Sequence, residues 1–171
     1  MTMEIISMNA KTLNTRQAPR AGMCEGKLND SEQFKASLVE LTLEEYDPPH
    51  GKALQMYARH RDLQQRATKE IILSFSEGAA DGTYDLTPEQ TVVRLTYVYN
   101  RSQTEAYIYS QMSGKAELKF DSISGVLSGE LKDAIVEYRE DETPVQLKIN
   151  VKFEAVNHIV MYGATKQKRV A

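Results

Sequence analysis

The sequence predicts an all-β protein, either an antiparallel β-sandwich or a small barrel-like domain of about 8–10 strands. Segment after segment alternates apolar with polar residues, and none keeps the 3.6-residue period of a helix. Turn-forming residues interrupt these segments about every 8–12 residues, which is the spacing typical of such sheets. The chain has nine tyrosines and no tryptophan, so tyrosine and β-branched residues supply much of the apolar surface.

A chain of 171 residues is long enough to bury one substantial core, so we predict a single domain. The expected divisions are an N-terminal arm over residues 1–31, the antiparallel β-domain over 32–162 and a basic tail over 163–171. The arm has one apolar cluster, Met3 to Met8, and we expect it to be mobile. The alternative is that this cluster adds an edge strand here or on a neighbouring subunit.

Charge and cysteine content exclude several classes of protein. A net charge of −3 gives no global attraction to nucleic acid or to anionic membranes, so neither is an expected partner. No apolar run approaches the ~18 residues of a membrane span. Cys24 is alone, which excludes a disulfide scaffold and a multi-cysteine metal centre, and we expect a cytoplasmic location.

The first strand expected in the β-domain is Phe34 to Glu45. Its apolar alternation changes phase, and a bulge near Leu38 and Val39 would reconcile the two halves. The prolines and glycine that follow predict a turn. Further alternation predicts strands around residues 54–58, 71–75 and 83–86.

Residues 113–131 predict a β-hairpin whose two strands agree about which face is apolar. With Asp121 to Ser124 as a four-residue loop, Leu118 lies opposite Leu127 on the apolar face and Lys115 opposite Glu130 on the polar face. The strand glycines Gly125 and Gly129 then mark close backbone approach or sheet bending, where an aromatic ring can cover a glycine.

The last strands are the most regular. After the hairpin the apolar phase switches, which predicts an irregularity around Lys132 and Asp133 before a strand over 134–138. From Val145 to Ala155 six apolar residues alternate with polar ones, which leaves little room for a helix. We expect residues 159–162 to add a short strand.

A second hairpin carries the best functional lead. With Asn100 to Gln103 as its loop, Tyr107 and Tyr109 share the polar face, and Arg94 lies across from Tyr109 at cation–π range. Exposed aromatic rings among polar neighbours stack sugars or anchor a protein partner, so Arg94, Tyr107 and Tyr109 are the candidate recognition surface. The alternative is that a second sheet or the N-terminal arm covers this face.

No residue pattern predicts catalysis, a cofactor or a metal. His50, His60 and His158 lack the short spacings of a zinc site, so we expect surface histidines. Cys24 lies within the expected arm without a neighbouring base, so the sequence gives no support for a reactive thiol. The serine–glycine pairs are not followed by a helix or by a phosphate-loop lysine.

Three short segments resemble a known group of domains. The chain has Gly-Thr-Tyr-Asp-Leu at 82–86, Ser-Gly-Lys-Ala-Glu-Leu at 113–118 and Ser-Gly-Val-Leu-Ser-Gly-Glu-Leu at 124–131, before a final alternating strand. This pattern, over about residues 34–156, is similar to small all-β domains of Bacteroidetes lipoproteins of unknown function. The chain departs from them by lacking their lipoprotein signal. The resemblance implies a fold and no activity.

These observations favour a non-enzymatic binding module that recognises a protein or glycan through a sheet face or a barrel mouth. The competing hypothesis is a small-ligand carrier or an enzyme with a cleft between sheets, which an open, polar-lined space would favour and a filled core would oppose. A third hypothesis is a subunit that forms homo-oligomers through its sheet edges.

Overall fold

A computed structural model of the chain describes residues 22–140 and 142–156. These residues form ten β-strands in one antiparallel sheet, which confirms the all-β prediction. The strands are β1 Met23–Leu28, β2 Glu32–Lys35, β3 Leu38–Glu45, β4 Lys52–Asp62, β5 Ala67–Ser76, β6 Gly82–Asp85, β7 Val93–Asn100, β8 Ala106–Asp121, β9 Val126–Glu140 and β10 Thr143–Val156.

The sheet is strongly curled, and one segment of the chain joins its two edges. The strand order is β2-β1-β10-β9-β8-β7-β5-β4-β3, with β6 pairing with β8 beside this path. Between β2 and β3 lie only two residues: the Ala36 amide donates to the Cys24 carbonyl at 2.9 Å, and the Ser37 amide donates to the Arg59 carbonyl at 2.8 Å. Consecutive amides therefore bond to β1 and β4, each of which is next to an end strand on opposite sides of the order. This corresponds to the barrel-like architecture.

The two residues between β2 and β3 explain why the apolar alternation changes phase near Leu38 and Val39. Phe34 in β2 and Leu41 in β3 both point inward and are buried, although their numbers differ in parity. The break at Ala36 and Ser37, in place of a bulge, resets the alternation.

The core fills the inside of the curled sheet. Every long strand contributes the alternate residues that face inward, as a period of two requires. The largest completely buried side chains are Leu28, Phe34, Met56, Ile71, Leu73, Phe75, Leu86, Leu95, Leu118, Leu127, Leu131 and Ile149.

The expected N-terminal arm is wrong in its last part. Met23–Leu28 forms β1, which pairs with β10 from Met23 opposite Glu154 to Leu28 opposite Ile149. Its alternation is short and includes Gly26, so the sequence pattern was too weak to show it. At Gly26 a Cβ atom would lie 1.9 Å from the Asn150 carbonyl oxygen, so only glycine fits between these strands. The expectations for residues 1–21, for strand 159–162 and for tail 163–171 lie outside the described residues.

The hairpin of β8 and β9 has the predicted faces in a different register. Its loop is 122–125, because the Asp121 carboxylate accepts the Ile123 amide at 2.9 Å and the Gly125 amide donates to the Asp121 carbonyl at 2.8 Å. Leu118 therefore lies opposite Gly129, and the expected Lys115–Glu130 pair does not form. The slip of two residues keeps the apolar face inward.

The predicted irregularity around Lys132 and Asp133 is confirmed. Asp133 adopts a left-handed backbone conformation with φ of 48°, and its amide donates to the Asn150 side-chain oxygen at 2.8 Å. The register of β8 with β9 shifts at Ser113, and that of β9 with β10 shifts between Ile149 and Val151. These bulges bend the long strands and so contribute to the curl.

Gly129 gives a direct test of the packing between β8, β9 and β10. A Cβ atom there would lie 2.0 Å from the Glu117 carbonyl oxygen and 2.9 Å from the ring of Phe153. We expect Gly129→Ala to lower the free energy of unfolding by about 1–3 kcal/mol, because the backbone must move apart. Urea unfolding measures this, with Ser128→Ala, whose side chain is on the other face of β9, as the control. Equal stability of the two variants would contradict the packing.

Candidate functional site

One end of the sheet carries a cluster of tyrosines. The turns β1–β2, β4–β5, β7–β8 and β9–β10 all lie at this end, which we call the tyrosine end. Three strands contribute inward-facing rings, and five of the nine tyrosines of the chain form this tyrosine cluster. They are Tyr97, Tyr99, Tyr107, Tyr109 and Tyr138.

The rings of the tyrosine cluster touch in a continuous series. Tyr97 and Tyr109 meet edge to face with centroids 5.3 Å apart, and Tyr99 stacks with Tyr107 at 6.2 Å. Tyr138 contacts Tyr107 at 5.2 Å and Tyr109 at 5.6 Å. These are favourable geometries for aromatic pairs, so the rings hold one another in place.

The register predicted for the hairpin of β7 and β8 is wrong, and the observed register brings different residues opposite one another. Asn100 pairs with Ala106, which leaves 101–105 as the loop, and the Ser102 hydroxyl oxygen accepts the Thr104 and Glu105 amides. The shift of three residues turns β8 over. Tyr107 and Tyr109 therefore lie inward beside Tyr99 and Tyr97, while Ile108 is 60% exposed.

The expected grouping of Arg94 with Tyr107 and Tyr109 does not form. Arg94 lies opposite Ser74, and its guanidinium donates to the Pro88 and Gln90 carbonyls at 3.0 and 2.8 Å. It holds the loop before β7 and does not face Tyr109. Two of the three predicted surface residues thus belong to the cluster, on the inward face in place of the polar outer face.

Lys69 is a candidate site residue that the sequence pattern did not predict. It has the same parity as Ile71 and Leu73, and its side chain enters the curled sheet with 5% of its surface exposed. Its ammonium bonds to the Glu32 carboxylate and lies 3.4 Å from Asp62. The alternation from Ala67 to Phe75 could have placed Lys69 inward, but a lysine ordinarily indicates a solvent-facing position.

The environment of Lys69 is unfavourable to an isolated charge. Burial lowers the pKa of its ammonium, because the charged form loses hydration. The adjacent Glu32 and Asp62 carboxylates pair with the ammonium and offset part of that loss. This ion pair links β2 near one edge of the sheet to β5 on its other side.

A pocket of about 240 Å³ opens between Lys69 and the tyrosine cluster. It combines aromatic faces, an apolar side chain and groups of both charges. Its lining residues are Glu32, Gln65, Lys69, Tyr97, Tyr99, Tyr109 and Leu147.

Two pocket tyrosines, Tyr97 and Tyr109, remain neutral hydrogen-bond donors. Burial raises the pKa of Tyr97, and the nearby phenol groups of Tyr109 and Tyr99 raise it further. The pKa of Tyr109 is raised for the same reasons, with burial first. A phenolate here would be poorly hydrated and close to other phenol oxygens, so the protonated form persists well above neutral pH.

Two other grooves on the sheet surface are larger but lack aromatic side chains. A groove of about 440 Å³ runs beside Gly129 and Gly82, and one of about 280 Å³ lies beside Gly26. Backbone and exposed lysine and glutamate side chains line them, with no aromatic ring in either lining. The tyrosine end, where rings and a buried charge converge, is therefore the candidate site.

His50 is buried, contrary to the expectation of a surface histidine. Its Nδ1 donates to the Thr91 carbonyl at 2.6 Å, which leaves Nε2 to accept the Ser74 hydroxyl at 2.7 Å. A serine and a histidine at this distance suit nucleophilic catalysis, but Ser74 is 3% and His50 8% exposed. The contacts attach the turn after β3 to β5 and to the loop before β7.

The other described residues that could act as soft metal ligands are His60 and Cys24, and both pack within the sheet. The His60 Nδ1 lies against the Lys35 backbone, 2.8 Å from its carbonyl oxygen and 3.0 Å from its amide nitrogen. Cys24 is 2% exposed in β1, and burial raises the pKa of its thiol to about 12, which makes it unreactive. His158 lies outside the described residues. Within residues 22–140 and 142–156, no three His, Cys, Asp or Glu side chains cluster as metal ligands would.

Comparisons with protein-family models, curated proteins and solved structures give no match. The resemblance to Bacteroidetes lipoprotein domains therefore stays a prediction. In the part of the chain that the structure describes, no helix has the length and apolar character needed to cross a membrane.

The buried phenol of Tyr97 predicts a pH dependence of stability. Because the folded-state pKa of Tyr97 is raised, its contribution is complete below the unfolded pKa of about 10 and is lost as the pH rises above it. We expect wild type to lose stability relative to Tyr97→Phe between about pH 9 and 11. Urea midpoints of both proteins across this range measure the difference. A difference that stays constant with pH would contradict the buried position.

Proposed function

We propose that the chain is a non-enzymatic binding module that holds a glycan at the tyrosine end. The observation that carries this proposal is the pocket in which three tyrosines converge with Lys69 and Glu32. Tyrosine rings offer flat faces on which a sugar ring stacks, and their hydroxyls donate hydrogen bonds. The proposed site is on the inward face at one end of the curled sheet and not on the outer sheet face.

The size of the pocket limits what it holds. At about 240 Å³ it is smaller than the ~300–1,000 Å³ typical of sites for drug-sized ligands. One sugar ring suits this space, with the rest of a longer glycan extending into solvent. A glycan end or a single branch is therefore the expected epitope.

The filled core counts against the alternative of a carrier or an enzyme with a cleft between sheets. The described strands form one sheet, and side chains such as Leu73, Leu95, Leu131 and Ile149 are completely buried within it. Association through sheet edges stays a prediction. It would use β3, which pairs only with β4 among the described strands.

A glycan array tests the proposed function. We expect wild type and Ile108→Ala to bind the same glycans. The single variants Tyr99→Ala and Tyr109→Ala are each expected to bind these glycans at least about tenfold more weakly, because a stacking face is lost. Ile108 lies between the tyrosines in sequence but is on the outer face, which makes it the matched control.

The variants Tyr99→Phe and Tyr109→Phe separate stacking from misfolding. They retain the ring and are expected to bind more tightly than the alanine variants, while urea unfolding reports the stability of each protein. Absence of glycan binding by wild type, or binding that the alanine changes leave intact, would overturn the proposal. Retention of a peptide or protein probe in place of glycans would assign the site to a protein partner.

A further inference from the structure

The ammonium of Lys69 is the one strong anion-binding group of the pocket on the part of the chain that the structure describes. Its side chain is 5% exposed, and the ammonium pairs with the carboxylate of Glu32, which also lines the pocket. A buried ammonium requires such a partner, because removing it from water without one is costly. The pocket therefore contains a position that already holds a carboxylate.

Glu32 is the replaceable partner of the two. Its side chain is 44% exposed and lies on β2, a strand of four residues at the end of the sheet order. In the described part of the chain its carboxylate bonds to Lys69 alone. Asp62 is fixed, because its carboxylate also accepts the Gln64 and Gln65 amides, each at 3.1 Å.

We propose that the pocket binds acidic sugars, and that the sugar carboxylate takes the place of the Glu32 carboxylate on Lys69. The ring of the sugar then lies against Tyr99 and Tyr109, and protonated phenol groups donate to its oxygens. This inference rests on the proposed glycan binding and names the class of sugar.

The charges of the site favour exchange of one carboxylate for another. Lys69 faces two carboxylates, Glu32 and Asp62, so a third anion added beside them would be repelled. A neutral sugar has no charged group that competes with Glu32 for the ammonium, and a cationic ligand would be repelled by the Lys69 ammonium. An anionic sugar that moves Glu32 into solvent keeps Lys69 paired and lets Glu32 regain its hydration.

The test compares two sugars that differ at one group. Methyl β-D-glucuronide has a carboxylate where methyl β-D-glucoside has a hydroxymethyl group. Each is titrated into wild type, Lys69→Met, Glu32→Gln and Lys115→Met, with tyrosine and amide NMR shifts as the readout. Lys115 is the control, because its exposed ammonium pairs with Asp85 at 2.7 Å outside the pocket.

We expect wild type to bind the glucuronide roughly tenfold more tightly than the glucoside. Lys69→Met removes this preference, and Lys115→Met keeps it. Glu32→Gln raises the ratio of glucuronide affinity to glucoside affinity by about threefold or more, because the carboxylate that competes with the sugar is gone. If Lys69→Met fails to fold, the two sugars and Glu32→Gln still decide the matter.

The outcomes separate the two proposals. Equal affinity for both sugars at the tyrosine end would overturn the acidic-sugar inference and leave glycan binding intact. Weaker glucuronide binding by Glu32→Gln would also overturn the inference, because Glu32 would then be a ligand contact and not a competitor. If neither sugar shifts the NMR signals of the tyrosine end and no array glycan binds, both proposals are overturned.

Discussion

The passage of one chain segment between the two edges of the sheet is the constraint on which the rest of the structure depends. Ala36 and Ser37 bond to β1 on one side and β4 on the other, so the sheet must curl until its ends meet there. Curling gives every long strand an inner and an outer face. Buried side chains fill the space between the inner faces, as in small barrels.

A filled interior moves the candidate site to the end of the sheet. Aliphatic and phenylalanine side chains occupy the middle, whereas tyrosines and Lys69 occupy the inward positions near the turns. Tyrosine suits that boundary, because its ring packs against the core while its hydroxyl reaches water or a ligand. The same position explains how Lys69 can be buried and still line a pocket, since its stem is in the core and its ammonium meets Glu32.

The sequence predicted the strands well where one strand obeys a simple alternation. The run from Val145 to Ala155 is in β10 as expected, and the phase switch at Asp133 marks a true irregularity. Registers were harder, because they depend on loops whose hydrogen bonds the pattern does not show. In the hairpin of β8 and β9, whose loop the Asp121 carboxylate stabilises, the observed register differs from the predicted one by two residues and the faces are unchanged. In the hairpin of β7 and β8, whose loop the Ser102 hydroxyl stabilises, the difference is three residues, and Tyr107 and Tyr109 therefore lie inward.

The candidate site was only partly predictable for the same reason. Tyr107 and Tyr109 were found because aromatic residues in a polar strand are conspicuous, but Arg94 was assigned to them through the wrong register. Lys69 and Glu32 lie 37 residues apart and meet only because the sheet curls. No local pattern relates a lysine near the start of one strand to a glutamate on a short edge strand.

The inward register of β7 and β8 is the central claim, and ring-to-ring NMR contacts in protein with labelled tyrosines measure it most directly. The structure predicts cross-peaks between Tyr97 and Tyr109, and between Tyr107 and Tyr138, whose centroids are 5.3 and 5.2 Å apart. Cross-peaks from Tyr109 to Arg94, together with an Ile108 side chain in contact with the core, would contradict it.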